Sequence, residues 1–245
     1  MIFNSIETKQ DLRKYTATDR KVWKLLFEKQ VANLKENDMA VIEFWNGLGR
    51  LKIDNKIPNI SEVNVKLKEL GSDFQLVPVK GIVPDDKFFE YLRIGKFPVT
   101  VWIRQIDSLD YIEEPDMFHD LFGHVPFLID KKYTHYLKKL GSAARKIFKY
   151  KKYAHLRNNM SRLYWYTIEF GLIRQTRDKF KIYGSGILSS YHESIKALSG
   201  ASDKRRYEPK ILSEQFEKDT FQDFYAYVDK NIKFLNRINV NVDTL

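Results

Sequence analysis

The sequence predicts a mainly helical protein with a small peripheral β-sheet, an α+β fold. Amphipathic segments with apolar residues at helical spacing recur along most of the chain, whereas alternating segments are few and short. Hydrophobic residues make up 43% and aromatic residues 14% of the 245 residues, enough for one large core. With no repeat or linker-like stretch, we expect a single domain over residues 1–245.

Helix signals appear in order along the first hundred residues. Apolar residues at helical spacing follow Thr18 and Asp19, which predicts a first long helix. Further helices are predicted from Ser61 to Gly71 and from Pro84 to Gly95, since proline suits a helix start and glycine a helix end.

Later segments continue the helical pattern. Asp130 is placed to cap a helix that runs toward Ile147, and residues near 153–174 form the longest amphipathic candidate. Another helix is predicted over about 219–235. The predicted strands cover residues 74–79, 97–104 and 180–183.

Composition narrows the class of protein and its partners. No apolar run reaches the ~20 residues of a membrane helix, and the N-terminus lacks a secretion signal pattern. The chain has no cysteine, which favours a reducing cytoplasm and excludes disulfides and thiolate metal sites. The net charge of +10 raises a polyanion partner as an alternative, but the densest basic stretch, residues 145–157, carries no nucleic-acid-binding fingerprint and is interpreted as a solvated helix face.

Two histidines in one apolar segment are the strongest functional signal. His119 and His124 are five residues apart, so on a regular helix they diverge by roughly 140°. They converge only if the helix ends or distorts between them. Gly123 suits a helix end and Pro126 opposes continuation, so we expect a helix of about two turns that carries His119, with His124 just past its end.

Glu169 completes a possible metal-ligand set. Its neighbours on a helical face, including Trp165 and Leu172, carry no positive charge. A buried carboxylate needs a proton or a cation, and a divalent metal is one such cation. Two histidines and one carboxylate hold non-haem iron(II) while leaving coordination positions open, which makes an oxygen-using iron enzyme the leading hypothesis.

Blander interpretations stay open at this point. The histidines are compatible with capping and packing roles, and Glu169 with a distant Arg or Lys partner. The alternative from a different class is a basic polyanion-binding protein in which this metal site is vestigial. A zinc hydrolase is the chemical competitor, but its motif usually places a glutamate next to the first histidine, and Asp120 stands there instead.

Several long motifs stand in a fixed order along the chain, and the central one is His119-Asp-Leu-Phe-Gly-His-Val-Pro126. The others cover residues 15–23, 81–89, 97–104, 110–116, 163–172, 183–190 and 219–222. In these motifs and their order the chain resembles the aromatic amino acid hydroxylases, in particular their bacterial, phenylalanine-hydroxylating members. The resemblance implies a mainly helical catalytic domain that uses iron(II), dioxygen and a tetrahydropterin to convert L-phenylalanine into L-tyrosine, with tyrosine or tryptophan as alternative substrates.

The resemblance also implies roles for individual residues. It assigns the iron ligands to His119, His124 and Glu169, with Tyr164 near the metal. It assigns substrate contacts to Arg104, which would grip the carboxylate with support from Ser189, and to Tyr111, Pro115, Trp165 and Gly186. It assigns pterin contacts to Gly81, Val83, Phe88 and Asp120. These residue types fit such roles: guanidinium pairs with carboxylate, and aromatic rings stack on flat heterocycles.

Departures from the family pattern shape the remaining expectations. The resemblance covers about residues 15–235, so we expect neither an amino-acid-sensing regulatory domain nor a tetramerisation helix, and hence a monomer. Small-molecule amino acid and pterin are the expected partners, with no nucleic acid and no membrane. Ile112 stands where animal phenylalanine-hydroxylating enzymes carry threonine, so this position leaves substrate preference open.

Overall fold

The computed structural model describes residues 6–110, 114–215, 221–229, 235, 237–238, 240 and 242. Helices dominate, and the strands form two small sheets, which confirms the predicted fold class. The helices are α1 Ala17–Glu36, α2 Ile42–Arg50, α3 Ile60–Glu69, α4 Asp85–Arg93, α5 Lys131–Lys149, α6 Arg157–Tyr164, α7 Ser185–Leu188 and α8 Tyr191–Leu198. The strands are β1 Gln75–Val79, β2 Lys96–Thr100, β3 Leu172–Arg174, β4 Phe180–Ile182, β5 Asp203–Arg206 and β6 Phe224–Asp229.

Local sequence explains where the long helices begin. Thr16 caps α1, and its hydroxyl and the Asp19 carboxylate satisfy each other's backbone N–H groups in a capping box. The carboxylate of Asp130 accepts hydrogen bonds from two backbone N–H groups at the start of α5, as predicted. Pro84 stands directly before α4. Gly95 follows the end of this helix with a φ of 72°, a backbone conformation that favours glycine.

The first sheet is a parallel pair that α4 connects. β1 and β2 run in register from Gln75 opposite Lys96, and α4 crosses over between them. α4 packs against α5 at Gly141, where a Cβ atom would lie 2.5 Å from the carbonyl oxygen of Phe89. Because the two helices approach so closely, buried residues of α4 such as Phe89 belong to the same hydrophobic core as those of α5 and α6.

The second sheet corrects two predictions. Its order is β4-β3-β6-β5, with β6 parallel to both neighbours. Residues 224–229 form the central strand β6, so the predicted helix over 219–235 is wrong in this part, and its remainder lies largely outside the described residues. The predicted helix over 153–174 also ends early, because residues 172–174 form β3. A short apolar run is compatible with a strand or a helix, and in both segments pairing with neighbouring strands determines that a strand forms.

Among the residues that the structure describes, no helix combines the length and apolar character that a bilayer crossing requires.

Candidate metal centre and adjoining cleft

The two histidines lie at the ends of one widened helical turn. Residues His119–His124 form a π-helical turn, closed by a hydrogen bond from the Val125 N–H to the Asp120 carbonyl five residues earlier. The chain then continues as a 3₁₀ turn over Val125–Ile129, with Pro126 in its first turn, where proline costs little. The helix therefore distorts between the histidines, and the prediction that it ends before His124 is wrong.

Glu169 lies at the end of a second π-helical turn. This turn covers Trp165–Glu169 and closes with a hydrogen bond from the Phe170 N–H to the Trp165 carbonyl. π turns are rare and concentrate at functional sites, because the extra residue redirects side chains that a regular helix would separate. Both segments that carry the predicted ligands contain such a π-helical turn.

The three predicted ligands meet in the structure. The Nε2 atoms of His119 and His124 are 3.0 Å apart. An Oε1–Nε2 distance of 3.0 Å joins Glu169 to His124, and an Oε2–Nε2 distance of 3.6 Å joins it to His119. One ligand atom from each residue lies within 4.8 Å of the others. Two nitrogens and one oxygen at this spacing can surround a single metal ion.

The electrostatics favour the protonation states that metal binding needs. Burial lowers the pKa of His119 to about 4, against the opposing charge of Glu169, so its imidazole is neutral at pH 7. Burial works to raise the pKa of Glu169, but the charge and the hydrogen bond of His124 outweigh it and bring that pKa down to about 2. Neutral imidazole and ionised carboxylate are the ligand forms of these side chains.

Ser189 selects the tautomer of His119. Its hydroxyl donates to the Ser185 carbonyl at 2.9 Å, so its oxygen accepts from the Nδ1–H of His119, also at 2.9 Å. A proton held on Nδ1 leaves the Nε2 lone pair directed at the metal site. The sequence resemblance gave Ser189 a supporting role for Arg104, and that role stays a prediction.

Arg104 forms a buried ion pair below the histidine turn. Its Nε and Nη2 donate to the two oxygens of Asp116 at 2.8 and 2.9 Å, and its Nη1 donates to the Leu109 carbonyl at 3.2 Å. Asp116 is fully buried and also accepts from the backbone N–H of His119 at 3.0 Å. Burial works to raise the pKa of Asp116, but Arg104 lowers it overall. This pair ties the predicted substrate-binding arginine to the start of the metal-binding turn.

Asp120 lies between the metal cluster and strand β2. Its Oδ2 accepts from the backbone N–H of Thr100 at 2.8 Å and from the Thr100 hydroxyl at 3.0 Å. Burial raises the pKa of Asp120 to about 7, although the Thr100 hydrogen bonds oppose the shift.

We expect Asp120→Asn to stabilise the metal-free protein progressively as the pH rises from about 4 to 7. The folded state keeps the Asp120 proton up to about pH 7, whereas the unfolded chain releases it near its ordinary pKa, so the carboxyl costs stability as pH rises through this window. The difference in unfolding free energy from the parent should level off above pH 7 at no more than about 4 kcal/mol.

Urea unfolding of both proteins between pH 4.5 and 8.5 measures this difference. The control is the same series with Co²⁺ bound, because a neighbouring cation favours the ionised carboxylate and should shrink the difference. A difference that stays constant with pH would contradict the expectation.

A cleft of about 190 Å³ opens beside the metal cluster and collects most of the predicted binding residues. Its walls include all four predicted pterin contacts, Gly81, Val83, Phe88 and Asp120, and also Pro115, Tyr164, Trp165 and Glu169. Thr100, Asp85 and Ser161 also line the cleft and were not predicted as site residues. The Ser161 hydroxyl donates to the Asp85 carboxylate at 2.7 Å. Neither residue sits in a motif with metal-ligand or nucleophile spacing.

Tyr164, which lines the cleft, also contacts a predicted metal ligand, whereas Gly186 is not among the lining residues. The ring of Tyr164 stacks over His124 with centroids 6.4 Å apart. Gly186 lies against Glu169, since a Cβ on Gly186 would be 3.2 Å from the Glu169 carbonyl oxygen. Tyr111 lies outside the described residues.

Asp116 and Gln222 are functional residues that were not predicted from the sequence. Asp116 stands three residues before His119, a position typical of a side chain that accepts from the first turn of a helix, and this spacing could have indicated it. Gln222, whose Oε1 accepts from the indole N–H of Trp165 at 2.9 Å, has no comparable signal.

A three-residue metal cluster in a mainly helical fold, open to a partly apolar cleft, defines a mononuclear non-haem metalloenzyme. Comparison with known proteins narrows the class. Residues 7–243 match the family described as biopterin-dependent aromatic amino acid hydroxylase. The chain is 41% identical over 229 residues to phenylalanine-4-hydroxylase of Chromobacterium violaceum, covering 92% of this chain and 74% of that protein.

Solved structures agree with the sequence match. The C. violaceum phenylalanine hydroxylase with bound iron(III) and oxidised cofactor 7,8-dihydrobiopterin has a TM-score of 0.87 at 40% identity, covering 96% of this chain and 84% of that one. The iron- and phenylalanine-bound form has a TM-score of 0.85 at 38% identity, with the same coverage. The chain belongs to the biopterin-dependent aromatic amino acid hydroxylase family.

Proposed function

We propose that this protein is an iron(II)- and tetrahydropterin-dependent monooxygenase that hydroxylates L-phenylalanine to L-tyrosine with dioxygen. The observation that carries the proposal is the meeting of His119, His124 and Glu169, with Glu169 in the wall of a cleft that also contains the predicted pterin contacts and the predicted ring contacts. Phenylalanine is favoured as substrate because the C. violaceum relatives carry that activity in their names and one was solved with phenylalanine bound.

The donor set fits iron. His119 and His124 supply imidazole nitrogens, Glu169 supplies an ionised oxygen, and Ser189 holds the His119 proton on the opposite ring nitrogen. Asp120, which stands where a zinc hydrolase motif would carry a glutamate base, is turned to Thr100 instead. When bound, iron(II) and the reduced pterin supply the electrons that activate dioxygen, and the protein supplies placement and exclusion of side reactions.

Phe88 is proposed as the stacking surface for the pterin. It projects from α4 into the cleft, where its ring meets the edge of Tyr164 with centroids 5.0 Å apart. Gly81 and Val83 border the same space, where their backbone can hydrogen-bond the edge of a flat heterocycle. Asp120 closes the inner end and accepts or donates according to its protonation state.

Phe88→Ala is expected to raise the KM for tetrahydropterin about tenfold while changing the KM for the amino acid much less. The reason is the loss of a stacking surface worth roughly 1 kcal/mol or more. Steady-state kinetics with each substrate varied in turn measure both constants. Phe148→Ala is the matched control, because Phe148 is half-buried like Phe88 and packs on Phe89, 6.3 Å between centroids, away from the cleft. The opposite order of effects would mean that the two pockets are exchanged.

Arg104 is proposed to bind the substrate carboxylate, with Pro115 and Trp165 at the ring. Three of its N–H groups are engaged among the described residues, by Asp116 and Leu109, and a guanidinium has five. The two remaining N–H groups match a carboxylate in a fork geometry. Because Asp116 already neutralises Arg104, this contact would orient the amino acid more than attract it from a distance.

The decisive experiment measures oxygen consumption and tyrosine formation with phenylalanine, tetrahydropterin and iron(II). Parallel assays with tyrosine and tryptophan test the alternative substrates, and a zinc-loaded sample tests the zinc alternative. We expect pterin-dependent tyrosine formation with iron and none with zinc. Failure to form hydroxylated product from any of the three amino acids would overturn the proposal.

We further propose that the protein acts as a single-domain monomer in the cytoplasm. The absence of cysteine supports a reducing compartment. Exposed large apolar side chains are scattered singly over different elements in the described part of the chain, as expected of a surface without an obligate partner. Sedimentation analysis that gave a stable oligomer would contradict the monomer.

A further inference from the structure

The indole of Trp165 is the end of a buried hydrogen-bond chain that starts on helix α8. Trp165 Nε1–H donates to Gln222 Oε1 at 2.9 Å. An indole nitrogen is a donor only, so this contact also fixes which end of the Gln222 amide faces the indole. Gln222 is 3% exposed and stands two residues before strand β6.

Helix α8 holds the backbone of Gln222 from both sides. The Gln222 N–H donates to Glu193 Oε1 at 3.4 Å, and the Gln222 carbonyl accepts from Lys196 Nζ at 2.9 Å. Glu193 and Lys196 are three residues apart on α8, so they share one helical face. The same Glu193 oxygen accepts from the Tyr225 hydroxyl at 2.6 Å. These linked contacts hold Gln222 through its backbone on both sides, which favours one fixed position for its side chain.

Ring packing and the N–H contact constrain Trp165 in different ways. The indole packs on Phe170 with centroids 4.8 Å apart and a tilt of 32°, and such ring packing tolerates sliding and rotation in the plane of the ring. A directional N–H contact removes that freedom. The orientation of the indole matters because Trp165 lines the cleft next to Glu169.

We propose that Gln222 is a positioning residue for the aromatic side of the substrate pocket, acting through the indole N–H of Trp165. This inference rests on the proposed function, in which Trp165 contacts the substrate ring. Gln222 touches neither substrate nor metal in this assignment. It sets where the indole lies, and so the width of the slot that accepts the amino acid side chain.

The test compares the Gln222→Met variant with the parent protein. This substitution keeps the length of the side chain but removes the hydrogen-bond acceptor. We expect the KM for phenylalanine to rise about three- to tenfold, the factor that corresponds to one lost neutral hydrogen bond, while the KM for pterin and kcat stay within twofold. In a Trp165→Phe background, which lacks the N–H, Gln222→Met should add no further rise. An additional rise of similar size in that background would overturn the proposal.

A second measurement is independent of activity. In protein labelled with ¹⁵N-tryptophan, four indole N–H signals are expected from the four tryptophans, and the one missing in Trp165→Phe belongs to Trp165. In Gln222→Met this signal should move upfield and exchange faster with solvent, while the signal of Trp23 should stay in place, because its N–H donates to the Asp54 carbonyl. A Trp165 signal unchanged by Gln222→Met would overturn the proposal whatever the activity.

Gln30→Met is the matched control for the loss of a buried glutamine. Gln30 is also 3% exposed, and its amide donates to the Leu188 carbonyl at 2.7 Å, without a contact to Trp165 among the described residues. The Gln30→Met variant should have a lower unfolding temperature but leave the Trp165 signal in place.

If Gln222→Met does not fold, hydrogen exchange in the parent protein tests the proposal. A Trp165 indole proton that exchanges with solvent as fast as that of a free indole overturns it. Absence of hydroxylation by the parent would refute the proposed function but leave the spectroscopic test valid.

Discussion

Alanine at His119, His124 or Glu169 is expected to abolish iron-dependent hydroxylation. The three donor atoms lie within 4.8 Å of one another, so each supplies one of three protein ligands to the same ion. Removing one leaves two donors, too few to hold the ion in place during turnover. Glu169→Ala should have the largest effect on metal affinity, because it removes the negative charge that offsets the charge of the cation.

The measurements are iron content after anaerobic loading and tyrosine formation per protein. Circular dichroism and thermal unfolding of the metal-free variants establish that the fold is kept. His155→Ala is the matched control, because His155 is exposed and lies outside the cluster, and it should retain metal and activity. A variant of any of the three ligands that binds one iron per chain and turns over at the parental rate would remove that residue from the metal centre.

Arg104→Ala is expected to destabilise the folded protein by about 3–5 kcal/mol, in addition to raising the KM for the amino acid. The Asp116 carboxylate is fully buried, and the variant leaves its charge without the guanidinium that compensates it. Asp116 also accepts from the His119 N–H, so movement of this carboxylate would disturb the metal-binding turn. Sequence analysis alone predicts chiefly the KM effect, and the ion pair adds the stability effect.

Urea unfolding measures the loss of stability in Arg104→Ala, and steady-state kinetics measure its KM for the amino acid. Arg13→Ala is the matched control for an ion pair at the surface: Arg13 pairs with Asp11 at 3.0 Å but is almost fully exposed, so its removal should leave stability unchanged. Arg104→Lys separates the roles, because it keeps the charge near Asp116 but loses the fork geometry. A stable Arg104→Ala protein with an unchanged KM would remove both assignments.

Much of the candidate site is predictable from residue types and spacing. His119, His124 and Glu169 stand out because two imidazoles in an apolar segment and an uncompensated carboxylate both require an explanation. The helix starts at Asp130 and Pro84 follow from local capping and proline rules, which act within a few residues. Phe88 and Asp120 enter through the family resemblance, and the cleft in the structure brings them together.

Other features of the site depend on contacts between distant segments. The ion pair of Arg104 with Asp116 spans 12 residues, and the contact of Trp165 with Gln222 spans 57, so neither leaves a periodic signal in the sequence. Strand β6 is another example. Its apolar run is compatible with a helix, and pairing with β3 and β5 decides the outcome.

The amino-acid sequence by itself determined which side chains can bind a metal, where helices α4 and α5 begin, and the family to which the chain belongs, because these properties depend on residue chemistry and on neighbours within one or two turns. Only the tertiary structure decided how the ligands converge. Two π-helical turns, at His119–His124 and Trp165–Glu169, aim side chains that a regular helix would spread apart. Such a turn gives up regular backbone hydrogen bonds, and its cost is met by packing and hydrogen bonds from segments far away in the chain, which local sequence rules do not include.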